Sequence, residues 1–259
     1  MLTTSATYRL IAGDLDRSLA VKRAEAPVAR ETEYYLGTIA SIATIDDFIK
    51  DTRVFNYAMK AFGLEDMAHA KAYMRKVLTE GIADPESFAN RLADDRFVAF
   101  ARTFDFASNG AEATASADAG QGVVDRYVRQ VLEISAGEDN EGVRLALYFQ
   151  REAPGVSSAY SLLADPALWQ VVRTIYGFPP EMAAADIDKQ AAAVTTRLDL
   201  ADLSDPTKLD ALITRFTAMW EITEGAVQDP VLALFAPAPV ASLDADLLTA
   251  LQLLKHGGS

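Results

Sequence analysis

The chain has 259 residues, half of them hydrophobic and 24% charged, and its 24 Lys and Arg against 37 Asp and Glu leave a formal net charge of −13. It is too apolar to be disordered and long enough to bury roughly 70–75% of its unfolded surface unaided. The lack of cysteine excludes disulfides, thiolate zinc, iron–sulfur clusters and cysteine nucleophiles, two histidines exclude a multi-histidine metal centre, and the acidic balance argues against nucleic acid as a partner.

Residues 1–27 open the chain with Leu10, Ile11, Leu15 and Leu19 at amphipathic spacing, cut off from the rest of the chain by Ala26-Pro27. The segment lacks the basic start and continuous apolar core of a secretory signal peptide, so synthesis in the cytoplasm is expected. No apolar run reaches the ~18 residues of a membrane span, and no transmembrane segment is expected.

Helix signals then recur along the whole chain. Asp-Pro pairs stand at Asp84-Pro85, Asp165-Pro166, Asp205-Pro206 and Asp229-Pro230. An Asp carboxylate accepts a free N–H of the first turn, and the proline behind it has no N–H to satisfy, so the pair marks a helix start. Gly63, Gly81 and Gly177 stand where helical patterns stop, as residues that enter the left-handed region without a Cβ clash. These signals predict helices over 28–42, 46–62, 66–80, 85–92, 94–104, 122–135, 140–153, 157–163, 166–176, 182–197, 206–224 and 243–254. The expected fold is all-α, a multi-helix body with an internal duplication and flexible terminal helices. Residues 108–121 hold no large apolar side chain and read as a mobile linker. The expected organisation is an N-terminal amphipathic segment (1–27), a first helical half (28–107), the linker (108–121), a second helical half (122–229) and a Pro-linked leucine-rich helix (230–259).

The duplication rests on a shift of 114 positions, which lays residues 30–64 on 144–178 without a gap. Arg30, Tyr34, Asp51 and Gly63 meet Arg144, Tyr148, Asp165 and Gly177 as identities. Phe48 meets Leu162, Phe55 meets Trp169 and Phe62 meets Tyr176, so cap and core positions repeat together.

Signatures of chemistry are absent: no phosphate-binding glycine loop, no H-E-x-x-H, no nucleophile elbow and no EF-hand spacing. The acids around Glu138 to Gly142, and the pairs Asp46-Asp47, Glu65-Asp66 and Asp94-Asp95, fall at predicted helix starts and complement the helix dipole. His69 reads as a surface or hydrogen-bonded side chain, and Phe97, Phe100 and Phe104 as a core stripe. No catalytic, cofactor-binding or metal-binding residue is assigned, and no cofactor is expected. The candidate partner-binding residues are Leu243, Leu247, Leu248, Leu251 and Leu254, one leucine face held on the tether APAPVAS.

Residues 30–106, with FNYAMKAFGLEDM and SFANRLADDRF as the most specific stretches, resemble an alphaproteobacterial family classed as a domain of unknown function. The ending DADLLTALQLLKHGG is similar to that family's usual C-terminus. Members are often encoded among flagellar genes. The resemblance implies a non-enzymatic, flagellum-associated accessory or structural protein whose partners are flagellar proteins, with export by the flagellar type III route left open. Two other readings stand beside it: a cytoplasmic flagellar chaperone or assembly regulator, and a ligand-binding or enzymatic helical protein with a pocket between its halves and His69, Tyr34 and Tyr73 as polar groups.

Overall fold

The computed structural model describes residues 2–92 and 94–228, and all regular structure among them is helical. The chain divides into two compact units, Met1–Trp220 and Glu221–Ser259. The predicted helix 243–254, the Asp229-Pro230 start and His256 lie outside the described residues.

The first unit begins with a helical hairpin, α1 (Thr4–Ala12) and α2 (Leu15–Ala24), capped by the side chains of Thr3 and Asp14. Residues 1–27 are therefore no loose extension, since Tyr8 and Thr4 are buried and Leu19 packs on the body. Then come α3 (Ala26–Ile39), α4 (Ile45–Lys50), α5 (Thr52–Ala61), α6 (Lys71–Glu80), α7 (Asp95–Thr103) and the single turn α8 (Phe106–Asn109). The long α9 (Val123–Asp139) leads into α10 (Glu141–Glu152), α11 (Ala159–Ala164), α12 (Pro166–Tyr176), α13 (Ile187–Arg197) and α14 (Pro206–Gln228).

Three expectations give way to hydrogen bonds made by side chains. The predicted helix 46–62 is broken at Asp51, whose carboxylate accepts from the backbone N–H groups of Arg53 and Val54 and so starts a new helix. The predicted helix 85–92 is a series of turns. Asp84 accepts from Glu86 N–H as a cap would, but Asn90 donates to the carbonyls of Ile82 and Asp84, and Glu80 accepts the Phe88 N–H. Side chains that take backbone partners compete with the helical ladder, and here they win. The third is the expected linker, 108–121. It forms a 3₁₀ turn at Gly110–Glu112 and a π-turn at Asp118–Gly122, with Ala113, Thr114 and Ala119 buried. Small side chains let its backbone approach closely: Thr114 donates to the Ile42 carbonyl at 2.6 Å, and the Tyr35 hydroxyl donates to the Ala119 carbonyl at 2.6 Å.

Two apolar cores result. The first runs from Val28 to Val128, past the linker and into α9, and the second gathers Tyr8 with side chains from Val143 to Phe216. Residues 123–128 thus pack with the first half, not the second. The first core is aromatic: Phe48 lies edge-on to Phe55 at 5.7 Å and tilted against Phe104 at 4.7 Å, and Tyr35, Tyr57 and Tyr127 stack in series at 4.5 and 3.8 Å. Each such pair adds about 0.5–1.5 kcal/mol beyond burial. The second core is mostly aliphatic, built on Leu145, Leu147, Leu162, Val171, Val172 and Ile175 around Phe149.

The 114-residue repeat is present as structure. Shifted by 114, α4 falls on α11 residue for residue, and α5 starts where α12 starts. Asp51 and Asp165 cap the equivalent helices with one carboxylate oxygen, and each accepts a tyrosine hydroxyl on the other, from Tyr34 at 3.0 Å and Tyr148 at 2.5 Å. Gly63 and Gly177 close those helices at φ of 66° and 63°. Phe48 and Leu162 are both fully buried. The aromatic pairs diverge in depth: Phe55 and Phe62 are buried, whereas Trp169 and Tyr176 are only half-buried on the second core, each against the ring of the buried Phe178.

Burial raises the phenol pKa of Tyr8 to about 12 and raises those of Tyr35, Tyr57, Tyr127 and Tyr148 as well. A raised folded-state pKa means stability that is whole below the unfolded value, about 10, and is withdrawn as pH climbs through the folded values. In an absorbance titration, most phenolate should therefore appear together with loss of helical circular dichroism above pH ~10. Phenolate appearing in full while the helices persist would contradict this packing. A second expectation concerns Gly142, where a Cβ would lie 2.4 Å from Cδ1 of the Trp220 ring. Gly142→Ala should cost about 1–3 kcal/mol in chemical denaturation despite alanine's better helix propensity.

Candidate functional site

A cleft of about 190 Å³ separates the end of the first repeated unit and the start of α7 from the second repeated unit. Phe62 at the end of α5 and Asp94, Asp95 and Arg96 at the start of α7 form one wall. Tyr148, Arg151 and Glu152 of α10 and Asp165 at the start of α12 form the other, and Arg126 of α9 reaches in at the side.

Each ionisable wall is built by a helix end. Asp94 caps α7 by accepting the Arg96 N–H, and it also takes the Arg96 guanidinium through Nε and Nη2 at 2.7–3.1 Å. The same guanidinium donates to the Gly63 carbonyl at 2.5 Å, so one arginine ties the start of α7 to the end of α5. Burial alone would lower the Arg96 pKa, but Asp94 outweighs it and the net shift is upward. Across the cleft, burial first and the Asp165 carboxylate second push the Tyr148 phenol well above its ordinary range. Tyr148 is therefore protonated at neutral pH and donates its hydroxyl to Asp165 at 2.5 Å.

Behind this wall lies a buried ionic cluster. Glu133 of α9, 1% exposed, accepts from Arg129 Nε at 2.7 Å and from Arg151 Nε and Nη2 at 2.9 and 2.8 Å. Arg129 donates further to the Leu147 carbonyl at 3.0 Å, while Arg151 donates to Gln130 at 3.1 Å and to Glu152. Arg151 also lies over the Tyr148 ring at 5.1 Å, and Arg126 over Phe62 at 5.0 Å. These contacts hold α9 to α10 and α10 to the start of α12, while Arg96 holds the start of α7 to the end of α5.

The polar groups expected in an inter-half pocket are elsewhere. His69 is exposed in the turn ahead of α6. Tyr34 bonds Asp51 under the Arg53 guanidinium, 3.9 Å from its ring centroid, and Tyr73 meets Phe88 and Phe97 edge-on. Asn140, in the acidic stretch, caps α10, and no metal-ligating group of acids and histidines occurs among the described residues. The five candidate leucines, Leu243 to Leu254, lie outside the described residues. The Arg129–Glu133–Arg151 cluster escapes sequence reading because an i, i+4 Arg–Glu pair looks like a solvated helix face. Tyr148 and Asp165 had a signal: both are identities of the repeat, and they prove to be each other's partners.

Removing the shared carboxylate would strand two guanidiniums in low dielectric. Glu133→Ala should cost about 3–5 kcal/mol in urea or guanidinium denaturation. A loss under about 1 kcal/mol, the scale of an exposed pair, would contradict the burial described.

Comparison with known proteins gives a consistent family. A crystal structure of a protein from Agrobacterium tumefaciens is 52% identical in sequence, with a TM-score of 0.79, over 85% of this chain and 94% of that one. No curated protein matches the chain. The profile of the family described as protein of unknown function (DUF1217) matches residues 61–209, a span that takes in both cleft walls and the buried ionic cluster. The chain belongs to this DUF1217 family.

Proposed function

We propose that the protein is a non-catalytic, flagellum-associated accessory or structural protein that acts through protein–protein contacts. The observation that carries the non-catalytic part is the cleft, where Asp94, Arg96, Tyr148, Arg151, Glu152 and Asp165 are engaged as helix caps, hydrogen-bond partners and ion pairs of the fold. A catalytic acid or base needs a proton-transfer partner in the substrate, and Tyr148, Asp165, Arg96 and Arg151 already have partners in the fold. The flagellar part comes from the resemblance of residues 30–106 and of the C-terminal stretch to a family often encoded among flagellar genes.

For contacts, the first unit offers a shallow apolar groove on the N-terminal hairpin, where Leu10 and Val21 are 69% and 62% exposed beside Ile11 and Leu132. The leucine face Leu243, Leu247, Leu248, Leu251 and Leu254 is the second candidate. The partner would be a flagellar protein presenting an apolar helix to one of these faces.

Fractionation of flagellated cells tests the reading. The protein should be recovered with hook–basal bodies or in the culture supernatant, whereas recovery from cytosol alone would favour the chaperone or assembly-regulator role. In pull-downs, a flagellar component should be retained by the wild-type chain. Leu10→Asp/Val21→Asp or Leu247→Asp/Leu251→Asp should reduce that recovery about tenfold, the effect of losing one well-buried apolar contact. Unchanged recovery by both variants would remove both faces from consideration.

A further inference from the structure

The N-terminal hairpin touches both cores, and it does so lightly. Helix α1 lies along α10 with Tyr8 in the second core, while α2 lies along α9 and α3 with Leu19 on the first. Of the hairpin's helical residues only Thr4 and Tyr8 are buried, and α2 buries none. By contrast α5 buries six residues and α10 seven.

Ile11 and Ala12 add partly buried contacts to the second core, and the other ties are polar. Asn140 donates to the Thr4 hydroxyl at 3.0 Å, Lys22 donates to Ser135 at 3.1 Å, and Arg23 pairs with Asp125 at 2.8 Å with both side chains about half exposed. The exposed pair contributes little against solvent screening. Tyr8 is thus the anchor, buried in the second core, where it lines a slot together with Gln150, Pro154, Leu203, Leu209 and Ile213.

The joint is short and defined. A single extended residue, Glu25, separates α2 from α3, and Pro27 in the first turn of α3 removes the N–H that would let the two helices run on as one. The Glu25 carbonyl accepts the Ala29 N–H at 2.9 Å as the first bond of α3, so the hairpin turns about the bonds on the N-terminal side of that carbonyl.

From this arrangement we propose that α1–α2 is a releasable clasp across the two cores, which opens as one unit while both cores stay folded. Few buried apolar contacts, polar latches and a hinge at one residue are the properties of a low-stability cooperative segment. Closed, the clasp bridges the halves; open, it uncovers the Tyr8 slot on the second half and the Leu132 side of α9. The opening requires no partner.

Hydrogen exchange followed by mass spectrometry on the full chain, across low denaturant concentrations, tests it. Amides of α1 and α2 should be protected in the native buffer yet exchange through an opening at denaturant concentrations where α5 and α12 remain closed. Tyr8→Ala should raise hairpin exchange on the order of 100-fold and leave α5 and α12 unchanged. Leu10→Ala, on the outer face, should change neither. Three results would overturn the proposal: a wild-type hairpin that opens only together with α5 and α12, a hairpin with no native protection, or a Tyr8→Ala variant that speeds exchange in the cores as much as in the hairpin.

Discussion

A carboxylate that is 1% exposed between two guanidiniums fixes where α9 lies on α10, and much of the fold depends on that placement. One negative charge cannot neutralise two positive ones, so the cluster is completed by dipoles and a further acid: the Leu147 carbonyl and Gln150 for Arg129, Gln130 and Glu152 for Arg151. Burying ions is costly, and the cost is offset only when every donor finds an acceptor in good geometry. Sliding α10 by one residue along α9 would break several of these bonds at once. The apolar packing of two amphipathic helices tolerates a family of nearby registers, whereas this network accepts one. Because α9 belongs to the first core and α10 to the second, the same bonds set the two cores in place.

Within each half the corresponding constraint is smaller and is used twice. An aspartate at a helix start has two carboxylate oxygens, and a cap uses one. In both halves the other accepts a tyrosine hydroxyl from the first helix of the repeated unit, Tyr34 to Asp51 and Tyr148 to Asp165. The pair thereby fixes the angle between the first and third helices of each unit, independently of how the core between them is filled. That independence explains how the first half keeps a phenylalanine-rich core and the second an aliphatic one on the same helix frame. It also leaves room for the aromatic matches to differ: Phe62 lies edge-on to Phe100 of α7, while Tyr176 stays half-buried beside Phe178 and under Arg215 of α14.

Much of this frame was legible in the sequence wherever a residue acts on its own neighbours. Asp165-Pro166 and Asp205-Pro206 start helices, Gly63 and Gly177 end them, and Phe97, Phe100 and Phe104 face inward, because capping, φ and helical periodicity are local properties. What was illegible depends on partners distant in sequence. Residues 108–121 look unpackable because they lack large side chains, but Ala119 and Thr114 pack by offering backbone and hydroxyl groups to Tyr35 and Ile42, 84 and 72 positions away. Asp84-Pro85 carries a valid start signal that loses to Asn90 and Glu80. The cleft wall was half legible: the repeat picked out Tyr148 and Asp165, while Arg96, Arg151 and Glu133 acquire meaning only when α9, α10 and the start of α7 are brought together.

The parts that do not repeat are those that join the parts that do. Elements α6 to α9 lie between the two copies of the unit, and the hairpin α1–α2 precedes the first. From these come Arg96, which ties α7 to Gly63, and Glu133, which ties α9 to α10; the hairpin reaches both cores. A duplicated unit by itself would supply two similar cores with no preferred relation. The relation is set instead by charged side chains on the inserted helices, Arg96 at the cleft and Glu133 buried behind its wall. Buried charge in this chain thus serves to hold helices to one another: Glu133 holds α9 to α10, and Arg96 holds the start of α7 to the end of α5.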